Sequence, residues 1–178
     1  FYSSAASDVY KRQGQTSVAA IGGVATFTNV RLIGTPLANY TIAFASGSLA
    51  GATSAAVSVT NNTAYQLAVT TQPVAGATAL ALTTQPIIEV QDFYGNRVVD
   101  DNTTSVVASI SSGANGTLAG SKTLTAINGV VTFTDLALTG TPGVNYKLSF
   151  ASSPLVTATS NDITVVAGAP THLSLIHI

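Results

Sequence analysis

Cysteine, methionine and tryptophan are all absent from the 178 residues. Without cysteine there is no disulfide, no thiolate nucleophile and no zinc–thiolate site. Charge is almost as scarce, at 7% of residues against roughly 25% in an ordinary soluble domain. Six Lys and Arg against seven Asp and Glu leave a net charge of -1. That is too little clustered positive charge to displace counterions from a phosphate backbone, so no nucleic-acid partner is expected. No apolar run approaches the ~18 residues of a membrane-spanning helix, so this segment should not insert in a membrane. Charge-driven disorder is excluded from the other side: 46% of residues are hydrophobic and the mean hydropathy is +0.42.

Much of the little charge lies at the N-terminus, where Asp8, Lys11 and Arg12 fall in residues 3–13, SSAASDVYKRQ. One DNA reading of these residues ends in GAT GTG TAT AAG AGA CAG. Its reverse complement, CTG TCT CTT ATA CAC ATC, translates as LSLIHI, which is residues 173–178. Both ends thus resemble one translated transposon adapter of the kind used in sequencing libraries, read in opposite directions. Residues 1–13 and 173–178 are set aside as adapter-like, with Phe1 and Tyr2 included by position. Residues 14–172 keep ten charged residues in 159. The expectation is an internal slice of a longer protein, with secretion signal and anchor outside it.

The sequence between those ends repeats itself. Residues 22–59 match residues 128–165 at a constant offset of 106 without gaps, with 19 identities in 38 positions. Thr26-Phe27-Thr28 returns as Thr132-Phe133-Thr134, Gly34-Thr35-Pro36 as Gly140-Thr141-Pro142, and Asn39-Tyr40 as Asn145-Tyr146. Self-similarity at a fixed period marks a repeat architecture. The register makes 14–61 the C-terminal half of one repeat, 62–167 a complete repeat, and 168–172 the start of another.

Within the complete repeat the apolar period is two. Tyr146, Leu148 and Phe150 alternate with Asn145, Lys147 and Ser149; Val131 and Phe133 alternate with Thr132 and Thr134; Ile88 and Val90 oppose Glu89 and Gln91. Such alternation marks strands with one buried face. Further strands are expected over 66–70, 79–83, 105–110, 122–126 and 163–166. Turn residues separate them at 94–96, 113–116, Asn128-Gly129 and Pro142-Gly143. Seven or eight short strands in about 106 residues describe an all-β, immunoglobulin-like antiparallel β-sandwich. Tyr146, opening a strand after Gly-Thr-Pro, has the placement of a tyrosine corner, and Tyr40 repeats it.

The order Leu67, Thr71-Gln72-Pro73, then 86–92 (PIIEVQD), Gly95-Asn96, 129–133 (GVVTF) and 146–150 (YKLSF) resembles bacterial Ig-like repeats. Such repeats occur in very large surface and secreted proteins, including adhesins related to the invasin–intimin group. The resemblance implies a stalk or adhesive role, a cell-surface or extracellular location, and no catalytic residues.

Candidate sites are few. Asp92, Asp100 and Asp101 flank a turn and could offer oxygens to Ca²⁺, but no calcium-loop spacing is present and local turn bonding is the better reading. Lys147 with Glu89, the sole glutamate, raises an isopeptide crosslink, which needs a buried lysine; the alternation points Lys147 to solvent instead. His172, alone once His177 is discounted, has no partners for a triad or a zinc site. No serine lies in a Gly-x-Ser-x-Gly turn. Asn39, Asn61, Asn102 and Asn115 each begin an Asn-x-Thr sequon, read as incidental. Phe93 and Tyr94 at a hairpin tip either make a contact surface or cap the core. No catalytic, cofactor or metal site is assigned. The expected role is a spacer whose partners are neighbouring repeats. The alternatives are adhesion to a glycan or surface protein, and an accessory module of an extracellular polysaccharide-degrading enzyme.

Overall fold

The computed structural model describes residues 11–169; residues 1–10 and 170–178, His172 among them, lie outside the described residues. The chain divides between Asn61 and Asn62 into two units. Among the described residues every regular element is a strand and none is a helix. Thr, Val, Ser and Ala dominate, and the β-branched members favour pleated backbone.

In the first unit β1 (Lys11–Gln13) pairs β2 (Arg31–Ile33), β3 (Asn39–Tyr40) pairs β6 (Val57–Ser58), and β4 (Ala43–Ser46) pairs β5 (Leu49–Thr53), all antiparallel. These are three separate two-stranded ribbons. Of residues 14–61 only Gly34 is buried.

Among its described residues the second unit has ten strands. β7 (Ala64–Thr71), β8 (Ile87–Asp92) and β12 (Val130–Thr132) form one antiparallel sheet in the order β12-β8-β7. β9 (Ser105–Ser112), β11 (Thr123–Thr125), β14 (Asn145–Ala151), β15 (Ala158–Thr159) and β16 (Ile163–Thr164) form the other. Its order is β11-β9-β14-β15, with β16 also on β14. β10 (Thr117–Ala119) and β13 (Ala137–Thr139) make a ribbon.

The period-two faces meet in a single core, which makes this an all-β sandwich. Leu67, Ile88, Val90 and Val131 from one sheet and Val106, Ala108, Tyr146, Leu148 and Phe150 from the other belong to one buried cluster. Phe133 and Phe150 touch with ring centroids 5.6 Å apart. At roughly 25 cal/mol per Å² of apolar surface removed from water, this cluster is the main favourable contribution to the fold.

Residues 79–83 depart from the expected strand. Ala79 adopts φ 65° in a turn, and the segment joins no ladder: Ala81 makes an isolated bridge with Ala137, and just outside it Val74 bridges Thr84. Leu82 is nonetheless buried, with its amide on the Leu136 carbonyl at 2.8 Å. Here the chain leaves β7 and runs parallel to Val166 at Ala77, so anchoring replaces a ladder. Short strands β10, β13 and β15 bring the number of elements above the seven or eight expected.

Candidate binding surface

Two tyrosines organise the turns that end the strands. Tyr146 is fully buried on β14. Its hydroxyl accepts the Thr141 amide at 2.8 Å and donates to the Ala114 carbonyl at 3.0 Å. Three glycines make room for the ring: a Cβ on Gly113, Gly116 or Gly140 would lie 2.2, 2.6 or 2.5 Å from it. In the first unit the Tyr40 hydroxyl accepts the Thr35 amide at 2.8 Å, and a Cβ on Gly34 would stand 2.6 Å from that hydroxyl.

The correspondence at offset 106 extends through the finer bonds. Ser160 Oγ accepts the Leu148 amide at 2.9 Å and donates to the Asn161 carbonyl at 2.8 Å. Ser54 makes the equivalent bonds to Ile42 and Ala55 at 2.9 and 2.7 Å. Phe27 and Phe44 lie 5.5 Å apart, as Phe133 and Phe150 lie 5.6 Å apart. Even β1 occupies the position of β10: Lys11 opposes Ile33 as Thr117 opposes Thr139.

The turn after β8 is held by one carboxylate. Asp92 is 1% exposed. Its Oδ1 accepts the amides of Tyr94 and Asn96 at 2.9 and 3.0 Å; its Oδ2 accepts the Asn62 amide and Asn96 Nδ2, both at 3.2 Å. Burial alone would raise this carboxyl, but the four donations, led by the Asn96 amide, outweigh it and hold the group below its ordinary value. Asp101 is held down in the same way: burial opposes, while the Thr104 hydroxyl and the Thr103 and Thr104 amides prevail. Asp135, exposed, is lowered by the amide and hydroxyl of Ser121. Asp92 and Asp101 therefore act as turn anchors. Among the described residues no three His, Cys, Asp or Glu side chains gather as a metal site.

Lys147 faces solvent and pairs with Asp162 at 3.6 Å, the two side chains 45% and 56% exposed. Glu89, on the other sheet, accepts Gln91 Nε2 at 3.0 Å. An exposed ion pair of this kind contributes little. Among the sequon asparagines, Asn39 Oδ1 accepts Ser58 Oγ at 2.6 Å and Asn102 Oδ1 accepts the Asn128 amide at 2.9 Å. Asn115 sits in a turn at φ 58°.

Phe93 and Tyr94 do not cap the core. Phe93 is 63% exposed and stacks edge-on with Tyr65 at 5.1 Å and Tyr94 at 5.4 Å. The result is a three-ring apolar cluster standing on the Asp92 turn. Ala64, opposite Asp92 in the ladder and next to Tyr65, lines an open concavity of about 740 Å³. Thr103, Thr104, Ser105, Ser152 and Ser153 supply hydroxyl-bearing walls, and no charged side chain lines it. Sequence reasoning found the two hairpin-tip rings but missed Tyr65: it stands two residues before the buried Leu67, so strict alternation points it inward, and the register shift between Ala64 and Gln66 breaks that alternation and leaves the ring exposed. In comparisons with known proteins no family model matches the chain, and no curated protein matches it either.

Proposed function

We propose that residues 62–167 are a non-catalytic, Ig-like structural repeat of a bacterial cell-surface or secreted multi-repeat protein, spacing a distal domain from its anchor. The observation that carries this reading is the recurrence of one fastening scheme at offset 106. The tyrosine hydroxyl on the Gly-Thr-Pro turn and the serine hydroxyl across the broken strand edge are the same in both segments. Selection for a repeated frame maintains internal bonds of this kind, and repeat arrays depend on contacts within each unit and with chain neighbours. The carboxylates support the same reading, since those of Asp92 and Asp101 are taken up by turns.

A second reading, adhesion, is favoured by the exposed rings of Tyr65, Phe93 and Tyr94, with an uncharged concavity of mixed apolar and hydroxyl-bearing lining starting at Ala64, the residue before Tyr65. Exposed aromatics next to polar hydroxyls suit a neutral glycan or a protein loop. An array of glycans and extracellular proteins probed with the full chain separates the two. The spacer reading expects no selective binding. Selective binding that disappears in Phe93→Ala overturns it in favour of adhesion.

A further inference from the structure

Residues 24–26 and 41–45 correspond to strands that β8 and β9 pair in the second unit, yet among the described residues nothing pairs them on those edges. In the second unit Val130, Val131 and Thr132 form β12, in register with Glu89, Ile88 and Ile87 of β8. Their counterparts Val24, Ala25 and Thr26 form no strand, only the bridge between Ile21 and Val24. Likewise β14 runs unbroken and carries β9 along one edge, Leu148 opposite Ile110 and Phe150 opposite Ala108. Its counterpart is interrupted at Thr41 and Ile42 into β3 and β4.

The other edge of this strand is the same in both copies: Tyr40 opposes Val57 as Tyr146 opposes Ile163, and Phe44 opposes Ala52 as Phe150 opposes Ala158. The pairing lost is therefore the pairing that β8 and β9 supply. Burial follows the same division. Val131, Phe133, Leu148 and Phe150 are at most 1% exposed, whereas Ala25, Phe27, Ile42 and Phe44 are only half-buried. All four positions nevertheless remain apolar.

We propose that residues 14–61 present a docking face for a polypeptide half-module of the kind formed by residues 62–119. Strands equivalent to β8 and β9 would pair with 24–26 and 41–45 and close a second sandwich core. The occupant is specified by register and not by apolarity alone: each unpaired position has a counterpart whose partner residue is known. A second intact copy of the chain does not provide it, because there 62–119 is already paired with its own 120–167. The inference holds whether the repeats act as spacers or as adhesins.

The test is a chain in which residues 1–13 are replaced by a second copy of 62–119, so that Ala119 meets Gly14 as it meets Gly120. Peptide-resolved hydrogen exchange is compared with the parent chain. The expected result is a gain of at least about 100-fold in protection over 40–46, approaching that of 146–152, because local opening is replaced by cooperative unfolding. Phe27→Asp in the extended chain should abolish that gain while leaving 146–152 protected. Exchange over 40–46 that stays at the parent rate, with 146–152 still protected, overturns the proposal.

Discussion

The hydroxyl of Tyr146 accepts the amide of Thr141 at 2.8 Å, five residues back along the chain, and so ties the turn before β14 to the strand it feeds. The same bond at the same distance joins Tyr40 to Thr35. What differs is burial: Tyr146 is fully buried, while Tyr40 is half-buried. A hydrogen bond of fixed geometry contributes more where its loss leaves buried partners unsatisfied.

Tyr146→Phe should therefore destabilise the 62–167 module by about 2 kcal/mol, since it removes both hydrogen bonds of a fully buried hydroxyl, to the Thr141 amide and the Ala114 carbonyl. Tyr40→Phe should leave that module's unfolding midpoint unchanged. Urea titration followed by far-ultraviolet circular dichroism measures both; equal effects from the two substitutions would contradict this account.

Gly140 tests the same corner sterically. Its backbone needs no left-handed conformation, so the only obstacle to alanine is the Tyr146 ring, 2.5 Å from the Cβ position. Gly140→Ala should cost about 1–3 kcal/mol, the usual penalty for overpacking a close-fitted site. In a Tyr146→Leu background most of that cost should vanish, a coupling that a double-mutant cycle reads directly. A cost independent of residue 146 would show that the ring is not the obstacle.

The buried faces of β8, β12 and β14 were legible because alternation is a local property: Ile88 and Val90, Val131 and Phe133, and Tyr146, Leu148 and Phe150 all point inward as their spacing predicts. The tyrosine corner was legible for the same reason, since turn and hydroxyl lie five residues apart. Residues 79–83 were not, because Ala, Leu and Thr content cannot reveal that Ala79 turns left-handed and that Leu82 is anchored by the distant Leu136 carbonyl. The role of Gly113 and Gly116 was hidden likewise. They look like turn glycines, yet each also clears space for a ring about thirty residues further on. Long-range pairing decides these positions, and it leaves no local signal.

Phe93 lies outside this network of constraints. Truncating it removes ring contacts with Tyr65 and Tyr94 but opens no cavity, so Phe93→Ala should shift stability by about 0.5 kcal/mol or less. Thermal unfolding checks this. A loss of several kcal/mol would show that the cluster is structural after all, and would remove the observation favouring adhesion.

Asp92 should make the module sensitive to acid. Its folded-state pKa lies below the ordinary value of 3.8, so the carboxylate's contribution is fully present above that value and is lost as pH falls through the lower folded-state value. Asp101 acts in the same direction. Asp92→Asn keeps the size but replaces one accepting oxygen with an NH₂ group. That group would face the Asn62 amide or the Asn96 side chain, donor against donor. The substitution should cost about 2 kcal/mol at neutral pH, and the variant should lose less of its remaining stability than the parent between pH 6 and pH 2.5. Urea midpoints of both chains at the two pH values provide the measurement. An identical acid loss in parent and variant would mean that the Asp92 carboxylate does not anchor the turn.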